Sequence, residues 1–339
     1  MSCRRITFAF LLSAALFCAQ AHPRKKAKPK HRSSANRILQ PRFDPAAINS
    51  PNQEDVKTGD KGSAVLRAQI LLDRAHFSSG EIDGEFGSNL EKTVTAFQQE
   101  RHLQPSRTVD GATWGALNGD QAPALMAYTI SPEDVKGPFE KIPADMAEQA
   151  KLPALGYSSP LEELAERFHV APSVLQALNP GADFGRVGQS IQAPNVMTMR
   201  PGAAARVEVS KSESSVRAYD AEDHLLAFYV ATIGSEHDPL PIGNWKIRGV
   251  AHNPVFHYNP DLFWDAKATD EKATIKAGPN NPVGVVWIDL SKEHYGIHGT
   301  PEPSRIGHTM SHGCIRLANW DAAELASMVK AGTPALLKE

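Results

Sequence analysis

Cysteine is scarce in this chain. Only three occur in 339 residues, and two of them, Cys3 and Cys18, lie in an N-terminal stretch with the features of an export signal. Exported proteins usually carry cysteines in pairs, because an oxidising compartment makes disulfides useful. With only Cys314 left, no internal disulfide can form, so that thiol is either a buried bystander or a nucleophile. Long apolar runs are scarce too. The stretch from Ile6 to Phe17 is too short for a comfortable membrane span, and no longer one follows, so the mature protein is expected to be soluble. Acidic residues are absent from residues 1–32, which hold eight Lys or Arg. The remainder has 28 basic against 38 acidic side chains, a balance near −10. That polarity argues against nucleic acid as the partner.

What is present at the N-terminus reads as a signal peptide over residues 1–21. Arg4 and Arg5 precede the apolar stretch, and Ala19-Gln20-Ala21 supplies a small-x-small cleavage site. The expected location is the periplasm or cell wall. Residues 22–52 read as a basic, Pro-containing linker, solvated along its charge run, with order beginning near Glu54.

Val65, Ala68 and Leu72 mark one face of a first helix, and Leu90, Val94 and Phe97 one face of a second. Ile82-Asp83-Gly84-Glu85-Phe86-Gly87 forms a turn between them. A third helix opens near Asp110 or Gly111. Residues 53–120 thus form a small three-helix domain, and the turn together with the Asp110-Gly111-Ala112-Thr113-Trp114 ending resembles the peptidoglycan-binding domain found beside many wall enzymes. Residues 126–198 read as strand, two helices, strand. Ser159, Pro160 and Glu162 form a capping box, and the second helix stops at Asn179-Pro180-Gly181. This α+β unit resembles a LysM glycan-binding module, from which it departs by a long connection between Ile130 and Ser159.

From residue 203 to 339 the pattern turns mainly β. Strand-like runs cover Val207–Val209, Ser215–Tyr219, Leu225–Val230, Val285–Leu290 and Tyr295–His298. One helix, Ala318 to Lys330, closes the domain. The fold class expected is therefore multidomain.

Thiol catalysis needs a thiolate, a base, a group to orient that base, and donors for the oxyanion. Cys314 lies in Ser311-His312-Gly313-Cys314-Ile315-Arg316-Leu317, and His298 in Ile297-His298-Gly299-Thr300. Either histidine is a candidate base by spacing, and an imidazole beside the thiol is expected to lower its pKa into the working range. A zinc site on Cys314, His312 and His298 is an alternative, although it lacks a clear fourth ligand.

The two segments, with Gly278-Pro279-Asn280-Asn281-Pro282-Val283-Gly284 upstream, resemble the signature of the L,D-transpeptidase catalytic domain (YkuD type). The resemblance implies an L,D-transpeptidase fold with Cys314 as nucleophile and His298 as base, the latter held by the carbonyl of Gly299. It further implies that His312 and Ser311 shape the pocket, that Gly313 and Cys314 N–H groups face the oxyanion, and that Arg316 supports the loop or a substrate carboxylate. The implied reaction passes a peptidoglycan tetrapeptide stem through a Cys thioester to an amine, forming 3–3 cross-links, or to a lysine of an outer-membrane lipoprotein. No cofactor is implied. The alternatives are an L,D-carboxypeptidase and a non-catalytic peptidoglycan-binding protein.

Overall fold

The computed structural model describes residues 43–196, 201–264, 266–311 and 313–339. The expected signal peptide, the basic run and most of the linker lie outside the described residues, as does His312.

Regular structure is present before Glu54. Helix α1, Pro45–Asn49, starts at Asp44, whose carboxylate accepts the Ala46 N–H while Pro45 takes the first turn. Such a cap relieves an orphan backbone donor. The helix buries Ile48 completely, so residues 43–50 belong to the folded unit and not to the expected linker. Helices α2 (Ser63–Arg74), α3 (Ser88–Glu100) and α4 (Gly111–Leu117) follow in the expected places, with Asp110 capping α4 through the Thr113 N–H at 2.9 Å. Between α2 and α3 runs a two-residue strand, β1 (Phe77–Ser78).

The middle unit is built from strand β2 (Leu125–Thr129), helix α5 (Met146–Gln149), helices α6 (Pro160–Arg167) and α7 (Pro172–Leu178), and strand β3 (Ser190–Pro194). Strands β2 and β3 pair antiparallel from Leu125↔Pro194 to Thr129↔Ser190. Ser159 caps α6 through the Glu162 N–H at 3.1 Å. The return bond of the capping box goes one residue early, from the Ser158 N–H to Glu162 Oε2 at 2.7 Å.

The C-terminal part contributes β4 (Arg206–Ser210), β5 (Ser215–Tyr219), β6 (Leu225–Val230), β7 (Thr232–Ile233), β8 (Gly243–His252), β9 (Phe256–Tyr258), β10 (Ala273–Ile275), β11 (Val286–Leu290), β12 (Gly296–His298), β13 (Ile315–Arg316), helix α8 (Asn319–Met328) and β14 (Pro334–Lys338). Among the described residues ten of the strands join in the order β1-β6-β5-β4-β14-β8-β11-β12-β13-β7, and β9 pairs with β10 in a separate hairpin. Val207, Tyr229, Ile288, Ile297, Ile315 and Leu325 form the core against α8.

The three units are not beads on a string. Strand β1 of the helical domain adds to the edge of the large sheet, Phe77 pairing parallel with Phe228. Phe77, Phe97 and Phe228 pack ring against ring, at 5.3 and 6.4 Å between centroids. The turn of the helical domain bonds to the middle unit, Ile82 N–H to the His169 carbonyl at 2.8 Å and Ala171 N–H to the Ile82 carbonyl at 3.0 Å. The described residues from 43 to 339 accordingly belong to one compact unit.

Candidate active site

Strand β12 carries the candidate base. In the antiparallel register with β11, Trp287 faces His298, and the two rings stack at 5.3 Å with 16° between their planes. The strand ends at His298, which is only 3% exposed. Its Nδ1 lies 2.7 Å from the Gly299 carbonyl oxygen. A carbonyl can only accept, so Nδ1 holds the proton and Nε2 keeps its lone pair. Burial, followed by the nearby charge of Arg316, pulls the pKa of His298 down to about 3, against the opposing pull of the Gly299 carbonyl. The imidazole is therefore neutral at any physiological pH, which is the form a base requires.

Strand β13 follows the thiol and runs parallel to β12, Ile297 pairing with Ile315 and His298 with Arg316. Cys314 is half-buried, and Sγ lies 3.9 Å from the His294 carbonyl oxygen. Burial pushes the thiol up from its usual value, with the Gly296 N–H and Arg316 opposing and Asp238 adding to the rise. Burial of the sulfur thus works against the lowering expected from a neighbouring imidazole. A buried neutral imidazole supplies no positive charge, so His298 does not offset the desolvation of the sulfur.

The turn before the thiol is held at both ends. Ser311 is buried; its Oγ donates to the Cys314 carbonyl at 2.5 Å, and its N–H donates to the Gly234 carbonyl at 3.0 Å. Gly313 adopts φ +93°, and a Cβ there would lie 2.9 Å from Cε1 of Tyr295. Glycine is thus required by the left-handed backbone and by the Tyr295 ring. Gly299 is constrained differently, since a Cβ on it would fall 2.1 Å from Asn319 Oδ1. Arg316 completes the described members of the expected set, and its charge acts on both His298 and Cys314. His312, the other candidate base, lies outside the described residues.

Cys314, His298, Arg316, Trp287 and Tyr295 line one cavity of about 800 Å³, a size usual for small-molecule and peptide sites. Its other walls are Pro282 and Val283, from the Gly278–Gly284 segment that carries the resemblance, and residues that sequence reasoning left unassigned: Phe256 and Tyr258 on β9 and Ala144 to Ala147 around the start of α5. Trp287 was legible in principle. Val286, Ile288 and Leu290 are buried and alternate with it, so the period of a strand puts Trp287 on the face away from the core. Nothing in the local pattern marks the others. Among the described residues no group of three or more His, Cys, Asp or Glu is placed to hold a metal ion.

Residues 204–337 match the family model described as the L,D-transpeptidase catalytic domain (YkuD), and residues 61–117 match the putative peptidoglycan binding domain. The chain is similar to the putative L,D-transpeptidase YkuD of Bacillus subtilis, with 56% identity over 179 residues that cover 51% of this chain and 90% of that protein. It is also similar to the putative L,D-transpeptidase YkuD of Bacillus licheniformis, with 35% identity over 176 residues, again 51% of this chain and 90% of that protein. Both alignments are longer than the segment 204–337. Among solved structures, an L,D-transpeptidase from Xylanimonas cellulosilytica aligns with a TM-score of 0.36 at 15% identity, covering 85% of this chain and 99% of that one.

Proposed function

We propose, from the premise that this chain belongs to the L,D-transpeptidase family, that it is a cysteine acyltransferase working on the peptide stems of peptidoglycan. The observation that carries this reading is the placement of His298, its Nδ1 2.7 Å from the Gly299 carbonyl oxygen, in the same cavity as the thiol of Cys314.

Since the pair rests uncharged, the thiol proton passes to Nε2 of His298 as Sγ attacks the carbonyl of the L-centre in a tetrapeptide stem. The developing oxyanion is met by the N–H groups of Gly313 and Cys314. The imidazolium so formed, unstable in its buried setting, returns its proton to the departing D-Ala amine, leaving a thioester on Cys314. A side-chain amine of a second stem then attacks the thioester, passes a proton to His298, and frees the thiol with a 3–3 cross-link. A lysine of an outer-membrane lipoprotein or a water molecule would resolve the same thioester, giving protein attachment or L,D-carboxypeptidation. The segment 61–117 supports peptidoglycan as the partner.

Further parts of the reading are export of the protein to the periplasm or cell wall on residues 1–21, and glycan binding by a LysM-like middle unit. Support for the latter is the strand–helix–helix–strand order with its β2/β3 pairing. The reaction is tested with purified tetrapeptide muropeptides and intact-mass analysis of the protein. A thioester adduct is expected on the parent and none on Cys314→Ala; an adduct that persists in the Ala variant would refute the assignment. Mass spectrometry of the products names the acceptor.

A further inference from the structure

The long connection from Ile130 to Ser159 sets the middle unit apart from a plain strand–helix–helix–strand module, and it goes somewhere specific. Its short helix α5 packs against β10, and Asp145 and Met146 face the cavity that contains Cys314 and His298. The connection is fastened to the segment before β11. The Leu155 N–H donates to the Ala277 carbonyl at 3.0 Å, and the Asn280 N–H donates to the Leu155 carbonyl at 3.0 Å. Asn280 Nδ2 donates to the Gly156 carbonyl at 2.9 Å and to Glu162 Oε1 at 2.7 Å. The backbones approach so closely that a Cβ on Gly278 would fall 2.0 Å from the Leu155 carbonyl oxygen. These bonds hold the connection to residues 277–281, and the same segment continues into Pro282 and Val283 of the cavity wall.

The fastening is also rigid within the connection itself. Asp145 accepts the Glu148 N–H at 3.0 Å, and Gln149, buried, donates to the Pro143 carbonyl at 2.8 Å. These two bonds fix the turn that presents residues 144–147. The clasp at Leu155 and the closed turn at 143–149 together hold residues 144–147 in the cavity wall.

We propose that residues 144–147, presented by the connection, form a wall of the stem-binding cavity contributed by the middle unit, and that Met146 is a specificity-determining residue for the peptide stem. The proposal rests on the reading that the cavity holding Cys314 takes a peptidoglycan peptide stem. Met146 is half-buried and unbranched, and a thioether side chain adapts its shape to what it packs against. It therefore sets how much width the cavity offers a stem, without entering the chemistry. The middle unit then does more than tether the enzyme to its polymer: it supplies part of the site that selects the donor.

Binding separates this from the catalytic reading. The dissociation constant of a soluble tetrapeptide stem is measured by calorimetry on the full chain in a Cys314→Ala background, with and without Met146→Trp and Met146→Ala. Met146→Trp narrows the cavity and should weaken binding by about tenfold, the usual scale for a misfit in an apolar pocket. Met146→Ala should reduce the preference for tetrapeptide over the longer pentapeptide stem. In the Cys314-containing chain, alkylation of the thiol by iodoacetamide, too small to feel the wall, should stay within about twofold in both variants. If stem affinity and preference are unchanged in both, the wall proposal falls while the catalytic reading stands. If the parent binds the stem and Met146 affects it, yet no acyl-enzyme forms, the catalytic reading falls and the wall stands. No binding of the stem by the parent would overturn both.

Discussion

Asn319 Nδ2 lies 3.0 Å from Glu166 Oε1, so the first residue of α8 is bonded to helix α6 of the middle unit. The same amide donates to the Pro279 carbonyl at 3.1 Å, and its Oδ1 accepts the Val285 N–H at 3.2 Å. The side chain sits against the backbone of Gly299, whose carbonyl orients His298. One buried amide thus joins the middle unit, the segment before β11 and the support of the candidate base. Asn319→Ala would leave the Val285 N–H and Glu166 without this partner, at about 1–3 kcal/mol for buried polar groups left unpaired. The expected outcome is a lower melting temperature and slower acylation, with a larger loss in kcat than in KM if the main effect is on His298. Unchanged kcat in a folded variant would show that Gly299 is held by other contacts.

Glu166 gives that junction a pH dependence. Burial raises its pKa from the carboxylate range to about 7, with Asn319 and Tyr157 opposing through hydrogen bonds and the charge of Glu162 adding to the rise. A carboxyl raised on folding binds its proton more tightly in the native state. Its contribution is full below the unfolded pKa near 4.5 and is lost as pH rises through about 7. Glu166→Gln should remove that part of the slope. Urea midpoints taken at pH 5 and pH 8 are expected to differ less in the variant than in the parent, and an equal difference would rule out Glu166 as a source.

The resting state of the thiol yields a third expectation. Burial holds Cys314 above its usual pKa while His298 stays neutral down to about 3. The rate of Cys314 alkylation should therefore keep climbing with pH past 9, without the neutral-pH plateau of a thiolate–imidazolium pair. His298→Ala should lower acylation by a peptide stem by at least about 10²-fold, the scale of a lost general base. The effect of His312→Gln is expected to be milder, because its proposed role is positional. A plateau by pH 7 would show that the pair is charged at rest.

The parts of this architecture visible in the sequence were those with a local cause. Helices α2 to α4 and α6 announce themselves by apolar spacing and by caps at Asp110 and Ser159, and β4 to β6 by their β-branched and aromatic runs. The Gly299 support of His298 came from the resemblance and reappears as a bond of 2.7 Å. What stayed hidden depends on partners distant in sequence. Strand β1 has two residues and no period to read; it exists because Phe77 finds Phe228. Strand β8, Gly243–His252, does not alternate cleanly, since many of its side chains remain partly exposed between β14 and β11. The rise in the Cys314 pKa was missed for the same reason: spacing shows the nearest imidazole, whereas desolvation depends on everything packed around the sulfur.

Reading the chain as separable domains would predict that residues 201–339 alone keep their activity on soluble muropeptides and lose only the grip on insoluble wall. The contacts predict otherwise. Cutting at residue 201 removes β1 from the sheet edge and uncovers Phe228, Val230 and Ile306, which share one apolar core with Leu72, Phe77 and Phe97. Each large apolar side chain so exposed costs about 1.5–3 kcal/mol. The cut also removes the partners of three polar groups on or near α8: His76 from Glu324, Ser78 from Asp321, and Glu166 from Asn319. Asp321 is buried, and its carboxyl is raised well above the usual range by that burial, so losing the Ser78 hydroxyl removes an interaction that eases it. Against a typical domain stability of about 5–15 kcal/mol, losses of this size leave little margin. The fragment is expected to melt well below the full chain or to aggregate, and to lose activity on soluble and insoluble substrates alike. A fragment that matched the full chain in melting temperature and in turnover of soluble muropeptides would show that the catalytic sheet is stable without the units docked on it.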